Sequence, residues 1–353
     1  MYIWVTSYSQ HIYNVILSKG RFFFWDNVPL KSCLLCFRLE GMIKMKIGID
    51  LGGSHIAIGV IDGNGRILEK TEKRLLAKEK KDIENSIESY IIEKTMGFQE
   101  KYKITSIGIA IPGTVTETEV VKSVNLGLKN YPIVEKLKSG LHQEMPIQIR
   151  NDAKCAAIAE NKYGALKNYE RTIFLTLGTG IGGAVMLHGK LLDTGKFPGC
   201  EFGHMIIQKN GLPCKCGKNG CFEKYASMKA FKDNLRKALG VDEKTRGQEL
   251  ITILIKSERE GQIDPETNEK IQKVVQDFIE NLSIGISNLI NIFEPEAIGI
   301  GGSFVYFQEI LMPKLKQNLQ DKKYLFNPRT SQELVVLPAI LGNDAGMLGT
   351  GTD

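Results

Sequence analysis

From Lys46 onward the sequence predicts an α/β protein built from two lobes of related design. Three observations carry that expectation. A short strand at 47–50 runs into Leu51, Gly52, Gly53 and Ser54, and a second strand follows it where a dinucleotide fold would place a helix. The same strand–glycine–strand unit recurs at 172–187. A long helical stripe, Ile271, Val274, Val275, Phe278, Ile279, Leu282, Ile286, Leu289 and Ile290, then precedes a further strand at 297–300.

The elements are expected in this order. Residues 1–41 hold apolar clusters around Ile3, Ile12 and Phe22 with no helical or strand periodicity, and are expected to be a non-native or disordered leader. The natural start is then expected at Met42 or Met45. Cys33 and Cys36 in this stretch have the spacing of a redox or metal pair, but no thioredoxin-like pattern surrounds them. The strands at 47–50, 56–60 and 67–68, the last two joined across the turn residues Asp62, Gly63, Asn64 and Gly65, make an antiparallel meander. Ile83, Ile87, Tyr90 and Ile91 fall on one helix face. A strand at 107–111 closes at Pro112 and Gly113. A short strand at 147–149 places Asn151 and Asp152 just past its end, and a helix follows over 153–160. Gly301 and Gly302 follow the strand at 297–300, and Gly342 to Gly346 open a final helix.

Composition narrows the function. The chain carries 46 basic and 40 acidic side chains spread along its length, which excludes the concentrated basic face of a nucleic-acid binder. No apolar run reaches the roughly 18 residues of a membrane span, and no secretory cleavage pattern is present, so a cytoplasmic location is expected.

His204, Cys214, Cys216 and Cys221 supply the ligand number and type of a tetrahedral structural zinc. A disulfide among the three cysteines would leave one over, and Cys214 and Cys216 are too close in sequence to pair comfortably. Two glutamates that the metal does not need, Glu201 and Glu223, bracket the cluster. Cys200 is expected to be a packing residue and not a fifth ligand.

The glycine turns suit phosphate, because glycine lets backbone N–H groups approach an anion closely. The first comprises Asp50, Gly52, Gly53, Ser54 and His55; the second, Gly178, Thr179, Gly180, Gly182 and Gly183. The second fits G-x-G-x-x-G, but the strand and turn after it argue against a dinucleotide site, and no P-loop motif exists in the chain.

Taken together, the residues 50–55, 111–113, 151–153 and 177–183, the Glu201 and His204 pair, the cysteine cluster ending in Glu223, and Gly301 with Gly302 closely resemble the ROK family of sugar kinases and related regulators. The bacterial glucokinase-like members are the nearest in pattern, and the likeness spans nearly all of 46–350. It implies a two-lobed actin-like, ribonuclease-H-like ATPase fold with an interlobe cleft. The small lobe would comprise 42–152 plus about 337–353, and the large lobe 153–336, with the zinc loop and a dimerisation surface. It implies ATP with Mg2+ between the glycine loops, a structural Zn2+ and a hexose in the cleft. Asp152 would be the catalytic base. The sugar would contact Asn151, Glu201, His204 and Glu223, with Gly113 and Asn125 as accessory positions. The adenosine side would lie at Gly301, Gly302 and Ser303. A homodimer is expected. The chain departs from the family pattern at Ser54 and His55, where Thr and a variable polar residue are usual, and at Gly199 and Cys200, where Ala and Gly are usual.

The residues support that chemistry directly. Attack by a sugar hydroxyl on a γ-phosphate needs a proton acceptor, and Asp152 stands at a strand end where it could accept; it could equally cap the following helix. A metal on one nitrogen of His204 would fix the ring and leave the other for a sugar hydroxyl. Glucose is the leading substrate, phosphorylated at its 6-hydroxyl. N-acetylmannosamine, N-acetylglucosamine, fructose and allose share the hydroxyls such a site would grip. A sugar-sensing repressor is the alternative of a different class, and it needs a helix-turn-helix that residues 1–45 do not suggest.

Overall fold

The computed structural model describes residues 2–6, 12–18, 21–24, 45–76, 79–142, 144–192, 199–259, 261–320 and 334–351. The chain divides into two compact units, Met1–Lys44 and Met45–Asp353. In the first, β1 (Tyr2–Thr6), β2 (Ile12–Ser18) and β3 (Arg21–Phe24) pair as an antiparallel meander, with Ile3 opposite Val15 and Ile16 opposite Phe23. The sequence reading found no strand pattern there. Consecutive apolar residues such as Phe22, Phe23 and Phe24 show none of the alternation that marks a one-sided strand. Cys33, Cys36 and Met42 lie outside the described residues.

The second unit contains two five-stranded sheets of identical topology. Sheet one holds β4 (Met45–Leu51), β5 (His55–Ile61), β6 (Ile67–Arg74), β7 (Ile104–Ile111) and β11 (Ile147–Asn151), in the order β11-β7-β4-β5-β6. The first three strands are antiparallel and the last two join in parallel. Sheet two repeats this with β12 (Arg171–Leu177), β13 (Ile181–Leu187), β14 (Lys190–Leu191), β15 (Ala297–Gly302) and β16 (Val335–Pro338), in the order β14-β13-β12-β15-β16. A small three-stranded sheet, β8 (Thr114–Val115), β9 (Val120–Ser123) and β10 (Leu128–Tyr131), extends from the end of β7.

Helices cover the sheets as their apolar faces dictate. The helix α1 (Ile83–Gln99) buries Ile83, Ile87, Tyr90 and Ile91, and α2 (Ile133–Leu141) packs beside it. In the other half α4 (Glu223–Ala226), α5 (Met228–Leu239) and α6 (Gly247–Ser257) surround α7 (Pro265–Phe293). Asp264 starts α7 by accepting the Thr267 N–H at 2.9 Å, with Pro265 at the first turn. The predicted stripe from Ile271 to Ile290 is the face α7 buries, with Val274 partly covered. The helix α8 (Gln308–Leu319) lies against α7.

Two helices change sides. After β11 of sheet one, α3 (Asp152–Lys162) packs on sheet two, where Ala157 and Ile158 meet Phe174, Ala184 and Met186. After β16 of sheet two, a 3-10 turn over Gly342–Asp344 leads into α9 (Ala345–Leu348), which packs on sheet one. Gly48 makes room for it: a Cβ there would lie 2.5 Å from the Met347 carbonyl. The buried Lys46 then donates to the carbonyl oxygens of Leu348 and Thr350 at the C-terminal end of α9, the end that favours a cation.

Candidate functional site

A cleft of about 1650 Å³ is lined by residues of both sheets and of the segments between them. Its lining includes Gly113, Asn125, Asn151, Asp152, Glu201, His204 and Glu223, so all seven residues expected to contact a sugar face one space. Gly178, Thr179, Gly180 and Gly182 line it too. The first glycine turn and Gly301 to Ser303 are not among its lining residues.

The end of β11 organises the floor. Asn151, not Asp152, caps α3: its Oδ1 accepts the N–H groups of Ala153 at 3.0 Å and Lys154 at 3.3 Å. Its Nδ2 donates to the Gly113 carbonyl at 3.0 Å, tying the small sheet to the floor. That bonding leaves Asn151 one amide hydrogen for a ligand. It also frees most of the Asp152 carboxylate, whose one local bond is Oδ1 with the Ala153 N–H at 2.9 Å. Burial raises the Asp152 carboxyl above the usual range, and the Ala153 N–H opposes that rise.

Asp50, at the end of β4, is the neighbouring acid. Burial first, and then the negative charge of Asp152, push its carboxyl up to about 7, with Lys70 pulling the other way. Lys70 is held by Asp344 at 2.6 Å and also touches Glu72. The sequence offered no signal for this group, because Lys70 and Asp344 meet across a separation of 274 residues. The turn after Asp50 is closed by Gly52 N–H donating to the His55 carbonyl at 2.9 Å. Gly53 abuts the small sheet, since a Cβ there would sit 3.2 Å from the Asn125 Cβ. The first glycine turn therefore touches the hairpin that carries Asn125.

The second glycine turn is equally compact, with Gly178 N–H donating to the Gly180 carbonyl at 3.0 Å. Leu177 pairs with Gly302 across β12 and β15, which sets Gly301 to Ser303 beside this turn. Gly302 has φ +72°, and a Cβ would lie 2.5 Å from the Leu177 carbonyl, so only glycine suits the position.

Opposite the floor, His204 ends a 3-10 turn over Phe202–His204, and its N–H donates to the Glu201 carbonyl at 3.0 Å. Glu201 and His204 both line the cleft. The ligating atoms of His204, Cys214, Cys216 and Cys221 all lie within 4.8 Å of one another. Cys216 and Cys221 sulfurs are 3.5 Å apart, and Cys214 Sγ is 3.7 Å from His204 Nδ1. A disulfide needs roughly 2.0 Å between sulfurs. Bonds of about 2.3 Å in a tetrahedron place sulfurs about 3.8 Å apart, so the four donors fit a structural zinc. Nδ1 is the nitrogen turned to the cysteines, which leaves Nε2 for the cleft. Glu223 joins the two features: Oε1 is 3.4 Å from Cys214 Sγ, and a Cβ on Gly180 would lie 2.5 Å from Oε2. Cys200 stands apart from the four, packed against the large core with φ +61°.

Among the described residues no helix is long and apolar enough to cross a membrane. The profile of the ROK family matches residues 46–352. The chain is 31% identical over 329 residues to a glucokinase of Thermotoga maritima, covering 88% of this chain and 98% of that protein. It is 30% identical over 309 residues to a xylose repressor of Bacillus spizizenii, covering 86% of this chain and 75% of the repressor. The crystal structure of a ROK family glucokinase from Streptomyces griseus in complex with glucose and AMPPNP is similar with a TM-score of 0.66 and 27% identity. That match covers 86% of this chain and 97% of the other.

Proposed function

Since the chain belongs to the ROK family and has its two-lobed actin-like fold, we propose that it transfers the γ-phosphate of ATP to a hexose, with glucose and its 6-hydroxyl first in line. The observation that carries this reading is Asp152, a partly buried carboxylate of raised pKa in a cleft that also gathers Glu201, His204 and Glu223. Glu201 and Glu223 accept from sugar hydroxyls, the Nε2–H of His204 donates to one, and together they turn a hydroxyl toward Asp152. Asp152 takes the proton of that hydroxyl as its oxygen attacks, a role worth roughly 10²–10⁴-fold in rate. The N–H groups of the two glycine turns hold the donor's phosphates and stabilise the charge on the transferring group. Asp50 is the oxygen donor suited to hold Mg2+, which when bound neutralises charge on the phosphates. The four-residue donor set would hold Zn2+, which when bound fixes the orientation of His204.

The likeness to a xylose repressor supports a second reading, a sugar sensor that performs no transfer. A coupled ADP-release assay over glucose, fructose, allose, N-acetylglucosamine and N-acetylmannosamine, run beside calorimetry, separates the two. Turnover fastest with glucose supports the kinase; fastest turnover with another hexose changes the substrate. Tight sugar binding with no turnover makes the protein a sensor.

A further inference from the structure

We infer that Glu160 is a positioning residue: it pins the point where the chain leaves sheet two to return to sheet one, and so sets the spacing of Asp50 and Asp152. Its kinetic consequence rests on the kinase reading above; its structural content does not.

The chain passes between the two sheets twice, at Asn151 with Asp152 and again between Pro338 and Ala345. Any lobe movement must be absorbed at those two passages, because hinge rotation uses the few residues that connect the moving bodies. Glu160 joins one passage to the other. It is fully buried near the end of α3. One oxygen, Oε1, accepts the N–H groups of Ile340 at 2.9 Å and Leu341 at 2.8 Å. The other, Oε2, accepts the Ala165 N–H at 2.8 Å. A buried carboxylate is tolerated only with such partners, and three backbone donors from two segments surround this one.

The far end of α9 is held to α3 as well. A Cβ on Gly349 would collide with the carbonyl of Cys155, so the backbones touch there. Between these two fastenings, α9 presents Gly346 to Asp50, where a Cβ would lie 2.7 Å from Oδ2. Asp152 begins the same helix that Glu160 ends, about 12 Å away along a rigid rod. One member of the crossing thus carries Asp152, and the other abuts Asp50 at the end of β4. Clamping Ile340 and Leu341 leaves Gly342, at φ +57° and with open space around it, as the next residue free to turn.

The test compares Glu160→Gln with Glu160→Ala. The amide oxygen of glutamine can still accept from Ile340 and Leu341, while its NH2 faces the Ala165 donor; alanine removes every bond. Hydrogen exchange at Ile340 and Leu341 is expected to speed up at least tenfold in Glu160→Ala and to stay near native in Glu160→Gln, a change of at least ~1.4 kcal/mol in opening free energy. In the coupled assay Glu160→Ala is expected to lose about 10- to 100-fold in kcat with both KM values changed little, because misplacement by an ångström costs that much in transfer. Glu160→Gln is expected to restore most of kcat. Ser283→Ala, which removes a buried hydroxyl of α7 that donates to the Ile279 carbonyl at 2.8 Å, is the control for stability alone. Native exchange in Glu160→Ala overturns the pin, and so does a kcat loss no greater than Ser283→Ala shows at equal thermal destabilisation. If Glu160→Ala does not fold, Glu160→Gln decides: native exchange at 340–341 with faster exchange at Ala165 supports the pin, and faster exchange at 340–341 with unchanged kcat overturns the positioning role. A native chain that turns over no sugar defeats the kinase reading, and exchange then decides the pin alone.

Discussion

Asp50 and Asp152 are two partly buried acids of like charge, and their partial removal from water lifts both above the ordinary range, Asp50 to about 7. Asp152 must be ionised to accept a proton, and burial raises its carboxyl, so turnover is expected to begin falling at a higher pH than an ordinary carboxylate would give, with kcat measured against pH as the check. Asp152→Asn should lower kcat by roughly 10²–10⁴-fold while calorimetry finds sugar affinity nearly unchanged. Stability runs the opposite way with pH. The ordinary value for Asp50 is 3.8, so between 3.8 and about 7 the folded chain holds a proton that the unfolded chain has released. The stabilisation is complete below 3.8 and is lost as pH rises through about 7. Asp50→Asn should therefore flatten the decline in melting temperature between about pH 6 and about pH 8.

At the scale of elements, the metal loop and the helix cap divide the work of holding side chains. The segment from His204 to Cys221 has little regular structure, and its four donor atoms converge within 4.8 Å of one another. Cys216→Ser, or strong chelation, should weaken sugar binding about tenfold or more and leave binding of a nucleotide analogue nearly intact, both measured by calorimetry. Metal analysis should find one zinc per native chain. This loop was legible in the sequence because cysteines, histidine and glycines are local signals with few meanings. So were both glycine turns, the meander after Met45 and the stripe of α7. The identity of the α3 cap was not, since Asn151 and Asp152 are adjacent and both suit that position; the Ala153 and Lys154 N–H groups donating to Asn151 Oδ1 decide between them. The small sheet between Thr114 and Tyr131 escaped notice because its strands are two to four residues long, too short for alternation to register. Lys70 with Asp344, and Glu160 with Leu341, are pairings across 274 and 181 residues that no local pattern encodes.

For the molecule as a whole, residues from both sheets line one cleft, and two passages of chain connect them. Sugar and a non-hydrolysable nucleotide together should draw the walls inward, seen in solution scattering as a smaller radius of gyration than with neither bound. Binding of both with no change in that radius would mean that the cleft is already closed.

The matched topology of the two sheets also makes each half depend on the other, since each sheet is covered by a helix that follows the other sheet's last strand. A protein of one such half would leave bare the face that its neighbour's helix now covers, and could fold only as a pair exchanging arms.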